Sequence, residues 1–232
     1  MKYGPFLFLG ILCAMAASSL TFVLAPQMQS GRMEQGSTIP DTLVYPNQPV
    51  GVAHQGAEVY RANNCAACHT QQVRPGNLSH DLKRGLGVRY SVARDYLFDK
   101  PVQLGLQRIG PDLSNAGLHM DPNTILLHLY NPRITVPTSI MPPYPFLFEK
   151  QKIGRIPSPD ALVLSAPFAP PAGYEIVPTK AGLSLAAYLT SLRQNSYLFE
   201  TPPPMQPLKA KSAAAATTDT NAPAANTNSP AK

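Results

Sequence analysis

Two of the three cysteines in this chain stand three residues apart and are followed at once by a histidine, in the stretch NNCAACHTQQVRPG at residues 63–76. Few features constrain a fold as tightly, because one short turn must then present two thiols and an imidazole together. Three chemistries use such a turn: a redox disulfide, half of a zinc site, or the covalent attachment of a c-type haem. A zinc site of four cysteines needs two more, and the third, Cys13, lies in an apolar N-terminal stretch, so that version fails on arithmetic. Zinc held by two cysteines and two histidines would draw on His119 and His128, which are too far apart for the usual spacing, and it leaves His69 without a role. A redox pair suits an exported chain, yet the alternating strand and helix signals of a thioredoxin-like domain are missing. The haem reading uses every reactive residue: Cys65 and Cys68 form thioethers to the two vinyl groups, and His69 reaches the iron from one face. The disulfide stands as its main alternative.

If His69 takes one face of an iron, the other ligand decides between electron transfer and small-molecule chemistry, because a filled sixth position leaves a substrate nowhere to bind. The candidates are Met120, Met141, Met205, His54, His80, His119 and His128. Met141 is the expected one: it sits in TSIMPPYP, where the prolines stiffen the loop that presents its sulfur. A thioether raises the reduction potential relative to a second imidazole. The other ring nitrogen of His69 needs an acceptor to fix tautomer and orientation. The Gly-Pro turn in RIGPDL offers the carbonyl of Pro111, as such turns commonly do in haem c proteins. Arg74 and Arg108 are candidate partners for haem propionates, since guanidinium pairs with carboxylates through two bonds, with plain surface arginines as the alternative.

The residues from Pro5 to Ala25 carry no charge; as a helix these 21 positions would span about 31 Å, enough to cross a bilayer core. The stretch reads as an uncleaved membrane anchor over 1–25, with a cleaved signal peptide as the alternative because Lys2 and AMAASS fit that pattern. Lys2 places the N-terminus in the cytoplasm and the remaining chain outside. Residues 26–49 are polar, with Pro and Gly but no sustained period, and read as a tether; 50–200 form the domain, and 201–232, whose run SAAAATTDTNAPAANTNSPAK lacks large apolar residues, are expected to be disordered. Twenty-six prolines exclude a bundle of long helices. Net charge +6 comes from scattered Lys and Arg, which argues against nucleic-acid binding. Within the domain, helices are expected in VGVAHQGAEVYRANNC, VRYSVARDYLFDKP, DPNTILLHLYNP (capped by Asp121) and PTKAGLSLAAYLTSLRQN (capped by Thr179). The proline-rich stretch 142–178 should wrap the surface in extended or turn conformations.

The ordered set CAACHTQQVRP, YSVA with DKP, GLQRIGPDL, HLYNPR and PTSIMPPYPFL, over residues 65–147 behind an apolar N-terminus, resembles the membrane-anchored mono-haem cytochrome c subunit, subunit II, of cbb3-type cytochrome c oxidases. The chain departs from that pattern at Leu118 and His119, where an arginine is usual, and at Thr124 and Ile125, where a Trp-His pair is usual. The resemblance implies a mainly α chain: a transmembrane helix, a loop-rich class I cytochrome c-like domain and a disordered tail. It implies one covalent haem c on Cys65 and Cys68, with His69 and Met141 as axial ligands. It implies electron delivery from a donor c-type cytochrome to the catalytic haem-copper subunit, no active site of the chain's own, and a single-pass position in the bacterial inner membrane with the haem domain on the periplasmic side. A free-standing tethered shuttle and the cytochrome subunit of a nitric oxide reductase are the alternatives.

Overall fold

The computed structural model describes residues 3–31, 33–40 and 43–203. The expected tail from residue 204 on, and Met205 with it, lie outside the described residues. Among the described residues the chain opens with one apolar helix, α1 (Gly4–Gln29), whose most apolar 18 residues have a mean hydropathy of 2.2 and are not buried. It is long and apolar enough to cross a membrane. Pro5 sits in its first turn, where no intrahelical donor is lost, and Leu20–Leu24 widens into a π-helical turn. The helix therefore runs four residues past the expected end of the anchor.

The segment expected as a tether carries ordered structure instead. Strands β1 (Gly36–Ser37) and β2 (Val44–Tyr45) pair antiparallel, Gly36 opposite Tyr45, and the hairpin is fastened to the domain. The Tyr45 hydroxyl donates to Asp95 at 2.8 Å, and Arg89 closes on the same carboxylate with two bonds of 2.6 and 2.9 Å. Both charged side chains are essentially buried, at 2% and 0% exposure, and the guanidinium lies 5.6 Å from the Tyr45 ring centre. Arg94 holds the Glu34 carbonyl, and Ile39 N donates to Tyr197 O at 2.8 Å. These partners lie more than forty residues from the hairpin in sequence, so no local period could show them.

The domain is mostly helical: α2 (Val52–Ala62), α3 (Ala116–His119), α4 (Pro122–Tyr130) and α5 (Lys180–Ser191). Helices α2 and α5 cross in contact, with Gly56 against the Ser184 carbonyl, where a Cβ would overlap the backbone. One turn further on, Tyr60 and Tyr188 meet edge to face at 5.5 Å, both buried. Asp121 caps α4 through Asn123 N and Thr124 N at 3.0 and 3.1 Å, and Ile125, Leu126 and Leu129 form its buried face. Leu185 and Leu189 of α5 meet that face in one apolar core with Leu113 and Leu147. The stretch VRYSVARDYLFDKP makes only a single 3-10 turn, Ala93–Tyr96, because Asp95 turns back to Val92 N at 2.8 Å and serves Arg89 and Tyr45. The proline-rich stretch contains an antiparallel ribbon, β3 (Phe148–Lys152) with β4 (Tyr174–Pro178), held because Ile176 and Phe148 enter the core.

Gly56→Ala is expected to destabilise the chain by about 3 kcal/mol, the upper end for overpacking. Gly76→Ala, placed in open space, is expected to change it by less than about 0.5 kcal/mol. Denaturant midpoints of the two variants against the parent chain measure the difference.

Candidate functional site

Helix α2 delivers the chain to Asn63 and to Asn64, whose φ of 54° turns it sharply. Cys65–Ala67 then form a 3-10 turn closed by Cys68 N and His69 N, which donate to Cys65 O at 3.2 and 3.0 Å. The two sulfurs and the imidazole thus come from one rigid turn, and all three residues are half-buried. No disulfide joins the two cysteines. Burial pushes the Cys65 thiol up to about 11, the opposite of the lowered value that makes a redox pair reactive. Among the described residues, no cluster of His, Cys, Asp or Glu fit for a metal ion includes His119 and His128 with this turn.

His69 Nδ1 lies 2.8 Å from Pro111 O. A carbonyl only accepts, so Nδ1 carries the proton and Nε2 keeps its lone pair. The ring rests on Gly110, where any Cβ would run into it. Gly110 N donates to Cys68 O at 2.9 Å and Leu113 N to Thr70 O at 2.8 Å, so the loop bearing Pro111 is laced to the cysteine turn on both sides of the histidine. The lacing continues through Asp112, which accepts from Thr70 Oγ1 at 2.5 Å, Gln72 N at 2.8 Å and Ser114 N at 2.9 Å.

Of the two expected propionate partners, Arg108 is spent inside the protein. Its Nε donates to Thr70 Oγ1 at 2.8 Å, and its other nitrogens bind Asp81, the Gln72 carbonyl and, at 3.4 Å, Asp112. The half-buried Arg74 is held by its backbone, with N donating to Asp81 Oδ2 at 2.8 Å. Among the described residues its guanidinium has no hydrogen-bond or ion-pair partner. Met141 is half-buried and packs on the same core as Cys65 and Ala66. Tyr144, three residues further on, packs on that core too, and burial, then Cys65 and Cys68, raise its phenol.

Of the remaining ligand candidates among the described residues, His54 lines a groove of about 740 Å³ between α2 and the hairpin, and His80 and His119 are exposed. Met120 packs on the same core as Met141 and also borders a surface groove beside α5. His128 Nδ1 lies 2.5 Å from Thr135 Oγ1, and burial, then the charge of His69, hold it below the usual imidazole range. The supporting carboxylates Asp81 and Asp112 escaped the sequence reading. Their one signal was spacing: Asp112 stands four residues after Arg108, and Asp81 seven after Arg74.

The donor set fits a haem. Two unbonded thiols and one imidazole with a free Nε2 occupy one turn, glycine leaves room under the ring, and a methionine loop lies close by. An apolar N-terminal helix joined to a small, mainly helical domain with this turn defines a membrane-anchored, haem-carrying class of protein. The family model for cytochrome c oxidase, mono-heme subunit/FixO, matches residues 5–160, and the chain belongs to that family. It is a mono-haem subunit of a cytochrome c oxidase, associated with other oxidase subunits. Comparison with curated proteins yields no match.

Burial works to raise Asp81, but hydrogen bonds from Arg108, Ser79 and Arg74 N outweigh it and hold the carboxyl at about 2. The unfolded chain would titrate near about 3.9. The folded value is the lower one, so the contribution of Asp81 to stability is complete above about pH 4 and is lost as pH falls toward 2. Asp81→Asn should therefore unfold at lower denaturant than the parent at pH 7, and the gap should narrow steadily below pH 4.

Proposed function

We propose that the chain is the electron-relay subunit of a cbb3-type terminal oxidase, carrying one haem c bound covalently through Cys65 and Cys68, with His69 and Met141 as axial ligands. Residues 50–200 are then a class I cytochrome c-like domain, α1 is its single-pass anchor in the bacterial inner membrane, and the domain stands on the periplasmic side. The observation that carries this reading is the His69 Nδ1 to Pro111 O contact of 2.8 Å, which aims the remaining nitrogen away from the loop. A disulfide has no need of it, and a zinc site, whose histidines make the same kind of bond, finds no group of His, Cys, Asp and Glu among the described residues to complete it.

When bound, the haem supplies a one-electron couple. The chain's own residues do the rest: Pro111 fixes the tautomer and plane of His69, Gly110 lets the ring lie flat, and the Met141 loop brings a thioether, which favours the reduced state over a second imidazole. Arg74 offers the uncommitted guanidinium for a propionate. The electrons come from a donor c-type cytochrome and go to the catalytic haem-copper subunit, so oxygen chemistry belongs to that partner.

Gentle detergent extraction followed by haem staining of a denaturing gel tests the assignment. A stained band of this chain, co-purifying with a large subunit that consumes oxygen from a reduced donor cytochrome, is expected. Replacing Cys65 and Cys68 together by Ser should remove the stain. Met141→Ala should abolish the far-red sulfur-to-iron absorption and lower the midpoint potential, whereas unchanged spectra would remove Met141 from the ligand set. A stained band that purifies alone and supports no oxygen uptake would favour a tethered shuttle.

A further inference from the structure

The loop that carries Met141 is held in an unusual way. It leaves α4 through the turn Pro132–Ile134 and returns where Tyr144 N donates to Leu129 O at 2.9 Å. Among the described residues, every hydrogen bond of 132–143 is made within the loop or to the end of α4, including His128 to Thr135, Ser139 N to Val136 O and Met141 N to Ser139 Oγ, and none joins the loop's backbone to another strand or helix. Besides the packing of the Met141 side chain on the core, its position rests on its two ends: α4 on one side, and the chain at Tyr144–Phe148 on the other.

That second end is gripped by residues beyond the part of the chain matched to the family. The buried Leu147 carbonyl accepts from both Thr179 N at 2.9 Å and Thr179 Oγ1 at 3.0 Å. The same hydroxyl accepts from Gly182 N at 3.2 Å and so caps α5. Gly182 has no Cβ, and one there would crowd the Leu147 oxygen. Next to this grip, Phe148 meets Tyr130 at the end of α4 edge to face at 5.2 Å, which ties the two ends of the loop to each other. The ribbon then places Pro167, Phe168 and Pro170 across a groove of about 430 Å³ from Pro143 and Pro145, the prolines that follow Met141. The family match ends at residue 160, so Thr179, β4 and most of this proline-rich loop lie outside it.

We infer that Thr179 and the β3–β4 ribbon are a clamp that positions the Met141 sulfur, making Thr179 a positioning residue for the iron's second ligand. This rests on the reading of Met141 as that ligand. One hydroxyl couples the start of α5, which is locked into the core against α2, to the far end of an otherwise self-contained loop. Loosening that point should let the sulfur leave without disturbing the cysteine turn, which is held by separate bonds to Gly110 and Leu106.

The test uses the full chain, matured with haem and purified in detergent, in four variants. Thr179→Val removes the hydroxyl and keeps the shape, and Thr179→Ser restores the hydroxyl. The third variant, Phe148→Leu, removes the ring by which the ribbon meets Tyr130 at the end of α4. Met141→Ala controls for the ligand itself. Readouts are the far-red sulfur-to-iron absorption, carbon monoxide binding to the reduced form, midpoint potential, and haem content by staining. Thr179→Val should bind carbon monoxide about fivefold more tightly, the equilibrium factor that loss of one helix cap produces, with weakened far-red absorption and unchanged haem content. Thr179→Ser should behave as the parent, and Phe148→Leu should shift in the same direction as Thr179→Val. If Thr179→Val fails to fold, Phe148→Leu decides. Parent-like absorption and carbon monoxide binding in folded Thr179→Val and Phe148→Leu chains would overturn the clamp alone. Parent-like behaviour of Met141→Ala would instead overturn the ligand reading beneath it.

Discussion

The Asp112 carboxylate is where the two loops of the site meet, and its side chain is completely buried. A buried charge is tolerable only when it is paired and its lone pairs are filled. Here Thr70, Gln72 and Ser114 fill them, and Arg108 brings the opposite charge. Two of these donors lie just after His69 and one just after Pro111, so satisfying the carboxylate brings histidine and carbonyl into register. Arg108 extends the same arrangement to Asp81, which in turn receives Arg74 N. The run from His69 to Arg74 is therefore fixed through its backbone and short side chains.

This explains why so much of the motif has a structural use. Gln71, which no ligand reading had employed, receives the Tyr188 hydroxyl at 3.1 Å on its side-chain oxygen and the Tyr96 hydroxyl at 2.7 Å on its backbone oxygen. It thereby connects the cysteine turn to α5 and to the stretch that also holds the hairpin. Tyr60 lies against Tyr188 at the crossing of α2 and α5. The core and the site are then one packed unit: a shift of α5 would be felt at Gln71 before it reached His69.

What could be read from the sequence follows the range of the interactions. The caps at Asp121 and Thr179 and the buried faces of α4 and α5 are local, repeating every three or four residues, and they were legible. So was the acceptor for His69, because a Gly-Pro turn is a local signal for an exposed carbonyl. The docked hairpin, the shortening of VRYSVARDYLFDKP to a single turn and the committed state of Arg108 were not legible, since each depends on partners far away in the chain. The β3–β4 ribbon was hidden for another reason. Twenty-one residues separate its strands, so no hairpin turn announces the pairing.

The docked hairpin changes how the domain can meet a partner. A flexible coil over the 24 residues from 26 to 49 would have a root-mean-square reach of about 27 Å. Instead, residues 30–33 alone separate the end of α1 from the Glu34 carbonyl held by Arg94, a span of at most about 17 Å when fully extended. A domain on so short a leash searches little volume. Its encounter with a neighbouring subunit is governed less by effective concentration than by whether that neighbour stands where the hairpin already points it.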